Sequence, residues 1–136
     1  MKDRDLEELL RKLNRRDVVG WLPEMERGRV AYDYLLAALE GPSMGESHTA
    51  NVLRALFRLR GHVEHGRFVS VLERYLGDAR IGVRSAASNL LIGLIKMREV
   101  ELSDPLATKL RTAVDLGLLT DARAVAEEVL SQGSSR

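Results

Sequence analysis

The chain has 136 residues, no cysteine and a formal net charge of +1 at pH 7. This length fits one domain, and the missing cysteines exclude disulfides and thiolate metal sites. The near-neutral charge gives no general attraction to polyanions. No stretch approaches the ~18 consecutive apolar residues that cross a membrane, and the charged N-terminus lacks the apolar core of a signal peptide. We therefore expect a soluble cytoplasmic protein with no membrane partner.

Apolar side chains recur at three-residue and four-residue spacing along most of the chain, which is typical of amphipathic helices. The predicted helices, in chain order, lie near residues 6–13, 18–22, 32–39, 53–57, 68–76, 83–97, 106–114 and 122–130. No strand-like alternation of useful length interrupts them. The pattern therefore predicts an all-α protein.

Glycine and proline positions agree with this pattern. Glycines follow several predicted helix ends, where a glycine can take the left-handed capping conformation. They are Gly41, which Pro42 follows, Gly61, Gly77 and Gly117. Asp104 and Pro105 predict a helix start, with the aspartate as N-cap and the proline at the first helical position. The polar C-terminal residues predict a mobile tail over residues 133–136.

The predicted helices also repeat. An offset of about 37 residues places leucines and alanines of one helix pair on those of the next. The matched positions are Leu35 with Leu72, Leu39 with Leu76, Ala50 with Ala87, and Leu53 with Leu90. Repetition at this spacing favours a solenoid of stacked helix pairs over a closed bundle, and we predict one domain over residues 1–132 with about four antiparallel pairs.

The third predicted pair carries a more specific pattern. Its residues closely resemble the consensus of one HEAT repeat: Leu72, Leu76, Asp78, Val83, Arg84, Ala86, Ala87 and Leu90. The resemblance implies a short right-handed α-solenoid. It also implies that Asp78 and Arg84 tie the turns of adjacent repeats together, while the alanines and leucines pack between helices. An armadillo-like or unclassified α-solenoid stays open as an alternative.

Catalytic motifs are scarce in the sequence. His62 and His65, in the sequence His-Val-Glu-His, form the only cluster with metal-ligand spacing, and no third ligand lies near them along the chain. Surface or capping residues explain them more simply than a metal-dependent enzyme does. The sequence also has no phosphate-binding glycine loop and no Gly-x-Ser-x-Gly motif. We therefore predict a protein that is not an enzyme and binds neither a metal nor a cofactor.

The second helix of each pair offers a candidate partner surface. The apolar face of the helix near residues 53–57 consists of Leu53, Leu56 and Phe57, and the opposite face carries Asn51, Arg54 and Arg58. The equivalent positions in the next pair are Ser88, Leu91 and Ile95, with Arg84 one turn earlier. HEAT-like solenoids use this surface for partners, so the resemblance implies partner binding by Asn51, Arg54, Arg58, Arg84 and Ser88. The alternative interpretation is that Arg84 ties turns together and that Leu91 and Ile95 pack against another helix.

These observations predict a non-catalytic protein-interaction module, a scaffold or adaptor, whose partner is another protein and which is a monomer or a weak homodimer. The alternative is nucleic-acid backbone binding, because residues 54–84 carry seven arginines and three acidic residues. The arginines predicted to contact phosphates are Arg54, Arg58, Arg60, Arg67, Arg80 and Arg84. Such binding would weaken steeply as salt is added.

Overall fold

The computed structural model describes residues 7–8, 10–11, 28–40 and 44–134. All regular structure in these ranges is helical, with six α-helices and one 3₁₀ turn, so the predicted all-α class is confirmed. The elements are α1 (Gly28–Glu40), α2 (Glu46–Leu59), the 3₁₀ turn (Arg60–His62), α3 (His65–Tyr75), α4 (Ile81–Lys96), α5 (Asp104–Leu116) and α6 (Thr120–Ser134). None of these helices is both long enough and apolar enough to cross a membrane.

Part of the predicted pattern lies outside the described residues. The predicted first helix is described only at residues 7–8 and 10–11, which are helical. The predicted segment near residues 18–22 and the predicted stop at Gly41 and Pro42 fall outside the described ranges.

The chain divides into two compact units, residues 1–68 and residues 69–136, and the division falls within α3. The single domain predicted over residues 1–132 stays a prediction. At the C-terminal end α6 reaches Ser134, so the predicted tail over residues 133–136 begins inside a helix.

In the first unit, α1 packs against α2 and against the 3₁₀ turn that follows it. Gly28, the first residue of α1, lies so close to His62 that a Cβ at this position would overlap the imidazole ring. The start of α1 therefore meets the end of α2, and the two helices are antiparallel. The earlier segment contacts α2 as well, because the His48 Nε2 lies 2.6 Å from the Leu10 carbonyl oxygen.

The core of the first unit is apolar and contains an aromatic cluster. The Phe68 ring centroid lies 6.5 Å from that of Tyr32 and 6.1 Å from that of Phe57, both in edge-to-face contact. Leucines fill the space around the rings, and the ones that are completely buried are Leu35, Leu53 and Leu56. Each such leucine contributes about 2 kcal/mol through its removal from water. This burial fixes which side of α2 is left for solvent.

In the second unit, α4 packs mainly against α6, and α6 also packs against α5. Near the helix starts, the Leu119 N–H donates to the Ser85 Oγ at 2.9 Å. Near the helix ends, the Lys96 Nζ lies 3.9 Å from the Glu128 Oε1. These contacts show that α4 and α6 run side by side in the same direction. The buried residues of α4 are Val83, Arg84, Ser85, Ala86, Ala87, Ser88, Leu91, Ile92 and Leu94.

The start of α5 corrects one predicted cap. Ser103, rather than Asp104, is the N-cap, because the Ser103 Oγ accepts a hydrogen bond from the Leu106 N–H at 3.3 Å. Asp104 is instead the first helical residue, where a negative charge interacts favourably with the helix dipole. The predicted stop at Gly117 is confirmed, and this glycine has a φ of 113°, which side chains with a Cβ rarely adopt.

Candidate functional site

The first candidate surface lies on α2 and consists of Asn51, Arg54 and Arg58, which we call the α2 face. Arg54 and Arg58 are exposed, and Asn51 is half-buried. The three residues extend over about 10 Å of helix, since each residue advances the axis by about 1.5 Å. The Arg54 Nη1 donates to the Asn51 Oδ1 at 2.8 Å. This hydrogen bond restrains the guanidinium and leaves further N–H donors for other acceptors.

The backbone beneath the α2 face is held by the core of the first unit. Four residues that alternate with the face have no exposed surface: Val52, Leu53, Ala55 and Leu56. Because close-packed side chains of this kind cannot shift independently, the helix position is fixed. A fixed helix presents its guanidinium groups one turn apart, so binding a partner does not require the helix backbone to be ordered first.

A feature that the sequence interpretation missed lies beside the α2 face. The apolar spacing predicts that Phe57 faces inward, and its ring contacts Phe68 in the core while its side chain stays half-buried. The Arg60 guanidinium carbon lies 4.1 Å from the centroid of the Phe57 ring, which is a cation–π contact. The Arg60 Nη1 also donates to the Phe57 carbonyl oxygen at 2.7 Å. The sequence signal for this contact is the three-residue spacing of Phe57 and Arg60, because residues three apart on a helix lie on the same side.

The predicted partner residue Arg84 is buried, with 6% of its surface exposed. In the turn before α4, its Nη1 donates to the Asp78 and Ala79 carbonyl oxygens at 2.8 and 3.0 Å. In the turn before α6, its Nη2 donates to the Leu116 and Gly117 carbonyl oxygens at 3.2 and 2.7 Å. Arg84 therefore ties two turns together, which is what the HEAT resemblance implies for it, and these donors are not available to a partner.

Asp78 differs from the expectation that it also ties adjacent turns. Its two carboxylate oxygens accept from the Arg80 guanidinium at 2.9 and 3.1 Å, within the same turn. The Arg80 backbone N–H adds a third hydrogen bond at 2.9 Å. The hydrogen bonds from Arg80 hold the pKa of Asp78 below its ordinary value. The pair orders the turn whose carbonyl oxygens accept from Arg84.

The α4 positions that the pattern places on the solvent side are not exposed. Ser88 and Leu91 have no exposed surface, and Ile95 is half-buried. The helix α6 packs along α4, with contacts at Ser85 and Lys96 of α4. Since neither Ser88 nor Arg84 is accessible, we leave both out of the candidate surface, which reduces to the α2 face.

Three of the six arginines predicted to contact phosphates, Arg84, Arg80 and Arg67, bond to groups outside α2. Arg84 bonds two turns and Arg80 pairs with Asp78, as described above. The Arg67 Nη2 lies 2.7 Å from the Asp33 Oδ1, and its guanidinium carbon lies 5.4 Å from the centroid of the Tyr32 ring. Of the six, Arg84 is buried and not accessible to a phosphate, whereas Arg54 and Arg58 on α2 are exposed.

The histidine cluster gains no support as a metal site. The His62 ring packs against Gly28, and the side chain of His65 lies outside the described residues. Among the residues that the structure describes, no group of three or more histidine, cysteine, aspartate or glutamate side chains could hold a metal ion. The metal-enzyme hypothesis therefore rests on sequence spacing alone.

Tyr32 is a fully buried titratable residue in the first unit. None of the described residues forms a hydrogen bond with its hydroxyl. Burial raises the pKa of Tyr32 to about 12, although the positive charge of Arg67 opposes the shift. Tyr32 is therefore neutral at physiological pH, and its role is packing against Phe68.

No protein-family model, no curated protein and no solved structure matches this chain. The likeness to HEAT repeats therefore rests on the residues of α3 and α4, and the functional interpretation rests on the geometry of the α2 face.

Proposed function

We propose that this protein is a non-catalytic interaction module, a scaffold or adaptor, that binds another protein through the α2 face. The observation that carries the proposal is the pair of exposed guanidinium groups, Arg54 and Arg58, one turn apart on a helix whose opposite side is buried. Arginine is enriched among the residues that dominate binding energy, because its planar group donates several hydrogen bonds in a fixed geometry.

The neighbours of the α2 face strengthen its capacity to bind. The Asn51 Oδ1 uses one donor of Arg54, so the other donors can meet carboxylate or carbonyl oxygens of a partner. Phe57, with Arg60 over its ring, adds apolar area beside these donors. A partner that covers both parts would exclude water from the arginine hydrogen bonds and thereby increase their contribution.

We also propose that the helix pairs stack as a short right-handed α-solenoid of about four pairs, similar to HEAT repeats. Equivalent helices of successive pairs touch in such a stack, and the parallel packing of α4 with α6 supports this arrangement. The ion pair of Glu73 on α3 with Lys109 on α5, 2.6 Å apart, is a second contact of the same kind. The third supporting contact is the set of hydrogen bonds by which Arg84 joins the turn before α4 to the turn before α6.

The test of the interaction proposal is affinity capture from the native host with identification of the captured protein. The variant carries Arg54→Glu with Arg58→Glu. The matched control carries Arg111→Glu with Arg123→Glu, the same charge change on exposed arginines of α5 and α6. We expect the wild type and the control to capture the same partner, and we expect the α2-face variant to lose it.

The same variant must remain folded for this result to count. Both charge reversals lie on exposed side chains, so we expect the melting temperature to fall by no more than a few degrees. Capture of the same partner at wild-type yield by the α2-face variant would contradict the proposal.

Nucleic-acid backbone binding is the second candidate function. The observation that favours it is the set of arginines near the end of α2, Arg54, Arg58 and Arg60, since arginine side chains bind the phosphate backbone. Fluorescence anisotropy with labelled duplex and single-stranded DNA tests it. Salt-sensitive binding that the α2-face variant loses would support this function, and no binding at low salt would exclude it.

A further inference from the structure

A cavity of about 500 Å³ opens at the ends of α4 and α6 in the second unit. Buried and half-buried apolar side chains form its floor: Ile95, Val100, Leu102 and Val129. Exposed polar side chains form its rim: Arg98, Glu101 and Gln132. Pockets that hold small molecules commonly have about 300–1,000 Å³, so this cavity has a suitable size. None of its residues belongs to the α2 face.

The rim carries two opposite charges that no described contact uses. Within the part of the chain that the structure describes, the Arg98 guanidinium and the Glu101 carboxylate make neither an ion pair nor a hydrogen bond. A cation and an anion beside one apolar floor complement a ligand that carries both charges on an apolar body. A purely anionic ligand would be repelled by Glu101, and a purely cationic ligand would be repelled by Arg98.

The backbone conformation of Arg98 is a second, independent observation that points to a role for its side chain. Among the described non-glycine residues, only Arg98 has a positive φ, 63°. Its N–H donates to the Ile95 carbonyl oxygen at 3.0 Å, and the Glu99 N–H donates to the Leu94 carbonyl oxygen at 2.9 Å. This helix-ending pattern normally favours glycine, which avoids the steric penalty that a Cβ brings in the left-handed region. The helix end alone therefore does not account for an arginine here.

We propose that this cavity binds a small zwitterionic ligand with an apolar body, either a free apolar amino acid or a short apolar peptide. Arg98 binds the carboxylate, because a guanidinium can donate two parallel hydrogen bonds to it. Glu101 binds the ammonium group, and the apolar side chain of the ligand packs on Ile95 and Val129. This site is separate from the α2 face and does not depend on the proposed interaction function.

Isothermal titration calorimetry with the full chain tests the proposal. The probes are leucine, leucyl-leucine and N-acetyl-leucinamide, which keeps the apolar side chain and lacks both charges. We expect saturable binding of at least one charged probe, with affinity at least about tenfold higher than that of the neutral probe. The tighter charged probe distinguishes a free amino acid from a peptide. No binding of either charged probe at millimolar concentration, or equal binding of the neutral probe, would overturn the proposal.

Arg98→Gly separates the loss of binding from the loss of folding. This substitution removes the guanidinium and also relieves the left-handed backbone, so we expect a melting temperature equal to or above that of the wild type. The affinity for the tighter probe is expected to fall by about tenfold or more, both in Arg98→Gly and in Glu101→Gln. Arg123→Gln, on α6 but outside the cavity, is the control that keeps wild-type affinity. Wild-type affinity in folded Arg98→Gly would overturn the proposal.

Discussion

The sequence pattern predicts that α2 and α4 are each the second helix of a pair, and the structure shows that the two helices differ in what surrounds them. In the first unit, α2 keeps one side in solvent, where Arg54 and Arg58 are exposed. In the second unit, most residues of α4 are buried, and α6 packs along this helix in parallel. Equivalent positions are therefore a candidate binding surface in one unit and part of the core in the other.

An arginine in the sequence does not by itself indicate a binding surface, as the contrast between Arg84 and Arg54 shows. Arg84 on α4 is buried because four carbonyl oxygens of two turns accept its N–H groups, which offsets the loss of water. Arg54 on α2 has one described hydrogen bond, to the Asn51 side chain, and remains exposed. The acceptors that surround a guanidinium, rather than the residue type, separate a structural arginine from a binding one.

The largest expected effect comes from removing the buried guanidinium. Arg84→Met keeps an unbranched apolar side chain and removes every donor, so four carbonyl oxygens lose a hydrogen bond. We expect the free energy of unfolding to fall by about 3 kcal/mol. Urea unfolding followed by circular dichroism measures this loss. Arg54→Met is the matched control, with an expected change within about 0.5 kcal/mol. Equally small losses in both variants would show that the comparison between α2 and α4 fails.

A smaller effect is expected from Tyr32, in the core beneath α2. The folded protein holds the Tyr32 proton up to about pH 12, whereas the unfolded chain releases it near the ordinary value of 10.0. The stability that neutral Tyr32 gives is therefore present below pH 10 and is lost as the pH rises towards 12. We expect this loss to reach roughly 2 kcal/mol.

The Tyr32 effect is measured as the pH dependence of the unfolding free energy from neutral pH to about pH 12. Tyr32→Phe should lack this component of the pH dependence. Tyr75→Phe, which changes a half-buried tyrosine, is the control and should keep it. An unchanged alkaline slope in Tyr32→Phe would contradict the burial of this hydroxyl.

The smallest expected effects come from two buried serines on α4, which differ only in their partners. The Ser85 Oγ accepts from the Leu119 N–H, whereas none of the described residues hydrogen-bonds with the Ser88 Oγ. We expect Ser85→Ala to lower the free energy of unfolding by about 1 kcal/mol, and Ser88→Ala to raise it by up to about 1 kcal/mol. Thermal unfolding of the two variants shows whether each substitution lowers or raises the free energy of unfolding. A destabilised Ser88→Ala would mean that this hydroxyl has a partner after all.

The parts of the fold that depend on neighbouring residues could be predicted from the sequence. Apolar spacing located the six described helices, and Gly117 marked the end of α5, because periodicity and caps are local properties. The choice of N-cap was missed at α5, since Ser103 and Asp104 are adjacent and both residue types cap well. The contact of Arg60 with the Phe57 ring was not predicted, because it lies at a helix end where the apolar spacing shows only that Phe57 faces inward.

The parts that depend on distant residues could not be predicted from spacing. The bond from Arg84 to Gly117 joins residues 33 positions apart, and only the HEAT resemblance suggested such a tie. The hydrogen bond between Ser85 and Leu119, where α4 meets the start of α6, joins residues 34 positions apart, and no local pattern contains it. The cavity brings Ile95 and Val129 together from separate helices, and no sequence motif marks it.

We assign partner binding to α2 and stability to α4. The most direct test is partner capture by one variant of each helix. The temperature is kept low enough that circular dichroism shows both variants folded. We expect Arg84→Met to capture the partner at wild-type yield despite its lower unfolding midpoint. We expect Arg54→Glu with Arg58→Glu to capture none at a nearly unchanged midpoint. Loss of capture in folded Arg84→Met, together with retained capture in the charge-reversal variant, would contradict both assignments.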